Sequence, residues 1–396
     1  MISCAWLMLA LFGLAGEVRE WTNQEGRKIR AALVECVDGN AVLKMEQGGR
    51  DYKVPLASLS KADVDYVQEW MRNKPTPGTD KGKEPGKSPA ATAADNWNAE
   101  WPTLISGDVS PEIEVVEEDD AQKRYVYRSP HYEFVCDVKL SQNVVNRFSI
   151  LFEATNLYAR SLPLALAKAH QAQRHTILLF ETFESYVRNG GPPGSAGVYM
   201  SGKDVIMVPL TSLGVIKGAG GYRVDYDKGN KTLPHEITHQ LTDMPYFAPG
   251  AMGWFSEGLA EYVATTPYRS GKFVVRGNQS AVEAYVTAYG EKGDGGRALG
   301  KKIRVPDLRG FMLQSYESFV ANGNTNYGIG LLLVYYFCHW DGDQKGGNLK
   351  AFLQALKQGK RGEEALQVLL AGRSFDELEV QIAKAWSGRG VTLEFQ

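Results

Sequence analysis

Residues 232–263 read TLPHEITHQLTDMPYFAPGAMGWFSEGLAEYV and contain the two motifs that decide the architecture of the chain. The first motif is His-Glu-Ile-Thr-His at positions 235–239. Leu233, Ile237 and Leu241 recur around it at four-residue intervals, which is the spacing of a buried stripe on a helix. The sequence therefore predicts a helix that carries both histidines.

Two histidines four residues apart lie on one face of a helix, one turn from each other. His235 and His239 can present two imidazole nitrogens to one metal ion, at about 2.0–2.1 Å each for zinc. Glu236, next to the first histidine, is placed to take a proton from water on the open side of the metal. We therefore expect a zinc site with Glu236 as its general base.

The second motif, at 254–262, predicts another helix start, with Glu257 and Glu261 one turn apart on one face. A catalytic zinc usually has three protein ligands, so Glu257 is the candidate third ligand. Glu261 is placed to hydrogen-bond the free ring nitrogen of a ligating histidine. The alternative is a solvated acidic face, which fits poorly beside the apolar residues Trp254 and Leu259.

The composition is that of a folded protein with no strong charge bias. The chain has 396 residues, of which 44 are Lys or Arg and 46 are Asp or Glu. No basic excess points to nucleic acid as a partner. The four cysteines are widely scattered without a C-x-x-C pair, so neither a disulfide framework nor a cysteine-based zinc site is expected.

Residues 17–72 read as a small β module. The runs 29–37 and 41–45 are rich in strand-forming residues and are joined at Asp38-Gly39, a strong hairpin signal. A shorter run follows at 52–54. Four short strands in about 50 residues predict a small closed barrel, which would leave no sheet edge exposed.

Residues 73–97 are rich in Pro, Gly, Lys and Ser and predict a flexible linker, because such a stretch buries too little apolar surface to become ordered. Residues 98–396 then form the main domain. Strands are expected at 132–138, 176–180 and 205–209, and a helix near 144–162. The expected fold class is α+β.

Residues 1–16 are uncharged and mostly apolar, which suits a signal peptide, although a basic start is missing. A buried first helix or strand is the alternative. A signal peptide predicts a secreted or periplasmic protein. Sixteen residues are short for a membrane span, and the apolar run 328–340 is the length of a core helix, so no integral membrane span is expected.

The two motifs together resemble those of the gluzincin metallopeptidases, in which H-E-x-x-H is followed about 18 residues later by a glutamate in a W-x-x-E-G-x-A-E context. The resemblance is strongest to the bacterial peptidase MA-like kind. It implies a mixed sheet before the active-site helix, a helical half after it, and one Zn²⁺ ion. The implied ligands are His235, His239 and Glu257, with Glu236 as the base and Glu261 supporting a ligand.

The same resemblance implies two further elements of the site. Relatives place a tyrosine at the start of a buried downstream helix, and Tyr327 fits this position as a donor to the oxyanion of a tetrahedral intermediate. Its alternative is an ordinary core tyrosine. Relatives also bind substrate along an edge strand, which Gly197, Val198 and Tyr199 would supply. An ordinary surface loop is the alternative for these three residues.

The N-terminal module is similar to the Sla-one homology domain, an SH3-like barrel. The resemblance rests on dispersed positions, among them Trp21, Gly26, Asp38-Gly39 and the Val54-Pro55-Leu56 ending. It implies a short peptide as a ligand. A structural cap or spacer is an equal alternative, because a shared fold does not carry a shared ligand.

The sequence therefore predicts a secreted zinc metallopeptidase, a hydrolase whose substrate is a protein or peptide. The G-x-M-E-N motif of related aminopeptidases is missing, which favours an endopeptidase. The alternative is a non-catalytic zinc-containing protein in which the N-terminal module binds a partner. All five metal-site positions read intact, which favours catalysis.

Overall fold

A computed structural model describes most of the chain, and the predicted signal segment 1–16 and residues 73–95 of the predicted linker lie outside the described residues. The chain divides into two compact units, Met1–Ser88 and Pro89–Gln396. The described residues are 18–23, 27–37, 40–45, 51–60, 63–64, 66–67, 96–225, 232–288 and 295–396.

The first unit contains four antiparallel strands in sequence order: β1 (Val18–Thr22), β2 (Lys28–Val37), β3 (Asn40–Met45) and β4 (Asp51–Pro55). These bounds confirm the predicted strand runs, while the Asp38-Gly39 turn lies outside the described residues. Trp21 is buried in the core of the unit, and its indole N–H donates to the carbonyl of Ala31 at 2.9 Å. Alternating apolar residues of the strands supply most of the rest of this core, and Leu59 and Val67, which follow β4, complete it.

The prediction of a closed barrel is wrong for the described residues, because β1 and β4 form the two edges of an open sheet. After β4 the chain makes a 3-10 turn at Leu56–Ser58 and returns towards β1. There a single antiparallel bridge joins Asn23 and Leu59, and the amide of Ser60 donates to Thr22 at 2.8 Å. One bridge and one hydrogen bond do not make a continuous ladder between the edges.

The second unit is built on a six-stranded mixed sheet in the order β10-β11-β9-β8-β7-β6. The pairs β8/β9 and β9/β11 are parallel and the other pairs are antiparallel, which leaves β10 as an antiparallel edge strand. The strands of this unit are β5 (Leu104–Ser106), β6 (Glu114–Asp119), β7 (Arg124–Arg128), β8 (Tyr132–Cys136), β9 (His175–Phe180), β10 (Val198–Met200), β11 (Val205–Pro209), β12 (Val215–Gly218), β13 (Gly221–Val224), β14 (Tyr268–Arg269), β15 (Lys272–Val274), β16 (Lys302–Val305) and β17 (Thr392–Phe395).

Helices dominate the described residues after β13, and the fold as a whole is mixed α+β. The helices are α1 (Gln142–Ser161), α2 (Phe183–Arg188), α3 (Thr232–Leu241), α4 (Trp254–Thr265), α5 (Gln279–Thr287), α6 (Leu308–Leu313), α7 (Tyr316–Ala321), α8 (Gly323–His339), α9 (Gly347–Lys357), α10 (Gly362–Leu370) and α11 (Phe375–Ser387). The two helices predicted from the motifs are confirmed as α3 and α4. Among the described residues, no helix is both long and apolar enough to cross a membrane.

The side chain of Gln240 fixes helix α3 to the middle of the sheet. The buried amide of Gln240 donates to the carbonyls of Thr176 at 3.2 Å and Asp204 at 3.1 Å, at the starts of the parallel strands β9 and β11. Beyond the helix, Asp243 accepts from the amide of Lys168 at 2.9 Å and pairs with Lys357 at 2.6 Å. These bonds define where the two histidines of α3 stand.

Helices α4 and α8 touch through their backbones. A Cβ on Gly258 would collide with the carbonyl of Gly330, and a Cβ on Gly330 would lie 2.9 Å from the carbonyl oxygen of Trp254. Only glycine permits this approach, so the two helices are closer than side chains would allow. The contact brings the first turns of α8 up to the residues on α4.

His339, the last residue of α8, introduces a pH-sensitive group into the core. Its Nε2 lies 2.9 Å from the hydroxyl of the buried Tyr262. Burial lowers the pKa of His339 from 6.5 to about 4. Because the unfolded chain binds this proton at a higher pH than the folded chain does, the free energy of unfolding must fall as the pH drops through that interval.

We expect His339→Gln to remove this part of the pH dependence, because glutamine keeps an acceptor for Tyr262 and does not titrate. Urea denaturation between pH 6.5 and pH 4 should show a smaller loss of stability in the variant than in the wild type. An equal loss in both proteins would contradict the assignment to His339.

Candidate metal centre

The two histidines of α3 converge on one point. The Nε2 atoms of His235 and His239 lie 3.0 Å apart, because the one-turn spacing places both rings on the same face of the helix. The rings are nearly perpendicular, at 85°. Two ring nitrogens aimed at each other across this distance suit a shared cation, as the motif predicts.

Glu257 of α4 completes the group. Its Oε2 lies 3.2 Å from Nε2 of His235 and 3.0 Å from Nε2 of His239. Ligand atoms of a tetrahedral zinc ion at about 2.0–2.1 Å stand about 3.3 Å from one another. The three observed separations are therefore close to those of a His₂Glu zinc site, and the three residues form a group able to hold a metal ion.

Two carboxylates on a fully buried helix are unusual, because burial of an unpaired charge is costly in free energy. Every residue of α4 is buried, and Glu257 and Glu261 are each only 3% exposed. Buried charges are retained where they are paired or bind a cation. Both glutamates do have partners, and those partners all belong to this site.

Glu261 supports the first histidine from behind. Its Oε1 lies 3.0 Å from Nδ1 of His235, so it accepts the proton of that nitrogen and leaves Nε2 with a lone pair to donate. Arg297 pairs with the same carboxylate, with Nη2 2.8 Å from Oε1 and Nε 3.3 Å from Oε2. The carboxylate of Glu261 therefore lies between His235 and Arg297 and contacts both.

Two tyrosines line the site. The ring of Tyr327 lies over that of His235, with centroids 6.0 Å apart and planes at 23°. The hydroxyl of Tyr316, at the start of α7, donates to Oε1 of Glu257 at 3.0 Å. It also interacts with the hydroxyl of Tyr327. Glu257 therefore keeps Oε2 towards the histidines while Oε1 is occupied by a phenol.

Glu236 joins the site to the edge of the sheet. Its Oε2 accepts a hydrogen bond from the amide of Tyr199 at 2.8 Å, in the edge strand β10. Val198 and Tyr199 belong to this strand, while Gly197 precedes it, with its Cβ position 3.9 Å from Cγ of Glu236. Val198 and Tyr199 therefore lie in a strand and not in a loop, and Gly197 and Tyr199 lie beside the candidate base.

The pKa shifts show which charge the site favours. Burial alone would raise the pKa of Glu257, but the charge of His239 and hydrogen bonds from both histidines outweigh it and hold that pKa far below its usual range. Burial alone would lower the pKa of His235, but hydrogen bonds to Glu257 and Glu261 raise it well above its ordinary value. The raised pKa of His235 and the lowered pKa of Glu257 both show that this site stabilises a positive charge beside its carboxylates.

The charge balance fits a divalent cation. Among the described residues, three carboxylates, those of Glu236, Glu257 and Glu261, share the site with one guanidinium, that of Arg297. The excess is two negative charges if both histidines are neutral. A divalent ion neutralises this excess, and the donor set of two imidazoles and one carboxylate is one that zinc accepts.

Sequence reasoning did not identify Arg297 or Tyr316. Arg297 is a lone cation in the glycine-rich stretch GGRALG, 36 residues from its partner Glu261. Tyr316 lies 59 residues from Glu257 and follows Ser315, whose side chain caps α7. The capping serine predicts a helix start. No sequence signal, however, places Tyr316, the first residue of that helix, beside Glu257.

No protein-family model, curated protein or solved structure matches this chain. What the site can do chemically is therefore inferred from the residues of this chain.

We expect the protein to bind one zinc ion per chain, and His239→Ala or Glu257→Ala to weaken that binding strongly, because each removes one of three ligands. Equilibrium dialysis followed by metal analysis measures the stoichiometry. His170→Ala is the matched control, because His170 lies outside the group and should leave zinc content unchanged. Equal zinc content in His239→Ala and wild type would contradict the site.

Proposed function

We propose that the chain is a zinc-dependent metallopeptidase of the gluzincin type that hydrolyses internal peptide bonds. The single observation that carries the proposal is the convergence of His235, His239 and Glu257 within 3.0–3.2 Å of one another, beside Glu236. The sequence resemblance implies three ligands and one general base among these four residues, and their positions support the same roles.

The metal-binding residues have complementary tasks in this proposal. His235, His239 and Glu257 would hold the ion, and Glu261 keeps Nε2 of His235 available by accepting from Nδ1. A zinc ion held there would lower the pKa of water towards 7 and polarise a carbonyl. The surrounding burial of α4 excludes bulk water, which strengthens every charge interaction at the site.

Glu236 acts as the general base. Its carboxylate takes a proton from the attacking water and later passes it to the leaving amine, so the peptide C–N bond breaks after the new C–O bond has formed. The hydrogen bond from the amide of Tyr199 fixes the orientation of this carboxylate. A base held in one orientation loses less entropy when it reaches the transition state.

Tyr327 is the proposed donor to the oxyanion. Burial and the charge of Glu257 raise its pKa, so the phenol keeps its proton at neutral pH. A neutral hydroxyl beside His235 is suited to donate to developing negative charge. Tyr316 places a second hydroxyl next to it, which donates to Glu257 here, and replacing each tyrosine in turn by phenylalanine distinguishes the two.

The substrate in this proposal is an extended polypeptide. Strand β10 is an antiparallel edge strand, and a peptide can add to such an edge through main-chain hydrogen bonds. Gly197, Val198 and Tyr199 are the proposed binding segment. The amide of Tyr199 stays bonded to Glu236, so the peptide would pair with other main-chain groups of this edge. The sequence of the first unit resembles that of a peptide-binding domain, which supports a recognition role for that unit. The protein would then be a peptidase with an attached binding module, and the apolar N-terminal segment favours export.

We expect Glu236→Gln to keep zinc and to lower the rate of cleavage of unfolded casein by about 10²–10⁴-fold, because it removes the base without removing a ligand. Mass spectrometry of the products should show internal cleavage, and a chelator should abolish it. Glu184→Gln, on the exposed surface of α2, is the matched control. A Glu236→Gln protein that holds zinc and cleaves at the wild-type rate would refute the proposal.

We expect Tyr327→Phe to lower kcat by about 100-fold or more while zinc affinity stays at the wild-type value, because the phenol donates in the transition state and is not a ligand. Steady-state kinetics on a fluorogenic peptide measure kcat and KM separately. If Tyr327→Phe retains kcat and Tyr316→Phe loses it, the donor is Tyr316 instead.

A further inference from the structure

Arg297 lies outside the ligand group but contacts both residues that orient His235. Its guanidinium makes two hydrogen bonds to Glu261, at 2.8 and 3.3 Å, a pairing that the planar fork of arginine permits. Its Cζ also lies 4.8 Å from the ring centroid of Tyr327. The same side chain therefore supports two neighbours of one metal ligand.

These two neighbours restrain the imidazole of His235 in different directions. Glu261 accepts from Nδ1 at 3.0 Å, which opposes rotation of the ring about its Cβ–Cγ bond. The ring of Tyr327 is a second neighbour of the imidazole, with the two centroids 6.0 Å apart and the planes at 23°. Together they set the direction in which Nε2 points.

The backbone of Arg297 is anchored independently of its side chain. Its amide donates to the carbonyl of Tyr285 at 2.7 Å, and its carbonyl accepts from the side chain of Asn324 at 2.8 Å. The amide of Leu299 donates to Val286 at 2.9 Å. Truncation of the side chain therefore leaves the segment attached, which allows its role at the site to be isolated.

We propose that Arg297 is a positioning residue that holds His235 in its metal-binding orientation by acting through Glu261. The inference rests on the zinc site of the proposed function and does not require hydrolysis. The side chain of Glu261 is 4% exposed, so loss of Arg297 leaves a buried carboxylate without its cationic partner. Glu261 then lacks two of the hydrogen bonds that orient its carboxylate, and it restrains the imidazole of His235 less tightly.

The test measures zinc affinity by competition with a chromophoric chelator, and the visible spectrum of the Co²⁺-substituted protein. Arg297→Gln should weaken zinc binding by about 10–100-fold, the usual effect of losing an outer partner of a metal ligand, and should shift the Co²⁺ spectrum. Arg297→Lys should recover part of the affinity, because lysine keeps the charge but not the two-point pairing. Arg276→Gln, on an exposed turn, is the matched control and should bind zinc like the wild type.

A double-mutant cycle tests the route. Glu261→Gln should weaken zinc binding, and Arg297→Gln added to it should cause less than about a 2-fold further loss, because the two residues act in series. Full additivity of the two effects would overturn the proposal.

Thermal unfolding of the metal-free proteins distinguishes a purely structural role of Arg297 from a role in positioning His235. Unchanged zinc affinity in Arg297→Gln would overturn the inference even if its melting temperature falls, and Arg297→Lys provides the reading if the glutamine variant does not fold. Failure of the proposed function looks different: the wild type binds zinc and cleaves no peptide, while zinc affinity still decreases from the wild type through Arg297→Lys to Arg297→Gln.

Discussion

Three ligand atoms packed within 3.2 Å of one another in a buried site require positive charge between them. Without it, the carboxylate of Glu257 would face two imidazole nitrogens and two further glutamates in surroundings from which water is largely excluded. The raised pKa of His235 and the lowered pKa of Glu257 are two expressions of this demand. Contacts with the rest of the second unit hold these groups together although the carboxylates repel one another.

The restraint comes from three different parts of the fold. The mixed sheet fixes α3 through Gln240, and its edge strand reaches Glu236 through the amide of Tyr199. The fully buried α4 carries the candidate ligand Glu257 and the supporting carboxylate of Glu261. The downstream segments add Arg297 and the two tyrosines, so that residues from across about 130 positions of sequence meet at one centre.

The part of the site that lies within one helix could be predicted, because helical spacing alone puts His235 and His239 on one face. The strands β8, β9 and β11 were also predictable from short β-branched and apolar runs. Arg297 and Tyr316 were not, because their contacts depend on how distant segments pack. Closure of the N-terminal sheet was predicted wrongly, since alternation of apolar residues gives the number of strands but not whether the edge strands pair.

The glycine contact between α4 and α8 has a consequence for how this protein can vary. Side chains between helices adopt alternative rotamers and absorb changes in volume, whereas two backbones in direct contact have no such freedom. Tyr327 lies about one helical turn before Gly330. Its distance from the imidazole of His235 therefore depends on how closely the two backbones approach at the glycine contact. A bulkier residue at either glycine would displace Tyr327 relative to His235 from inside the core, although neither glycine belongs to the candidate site.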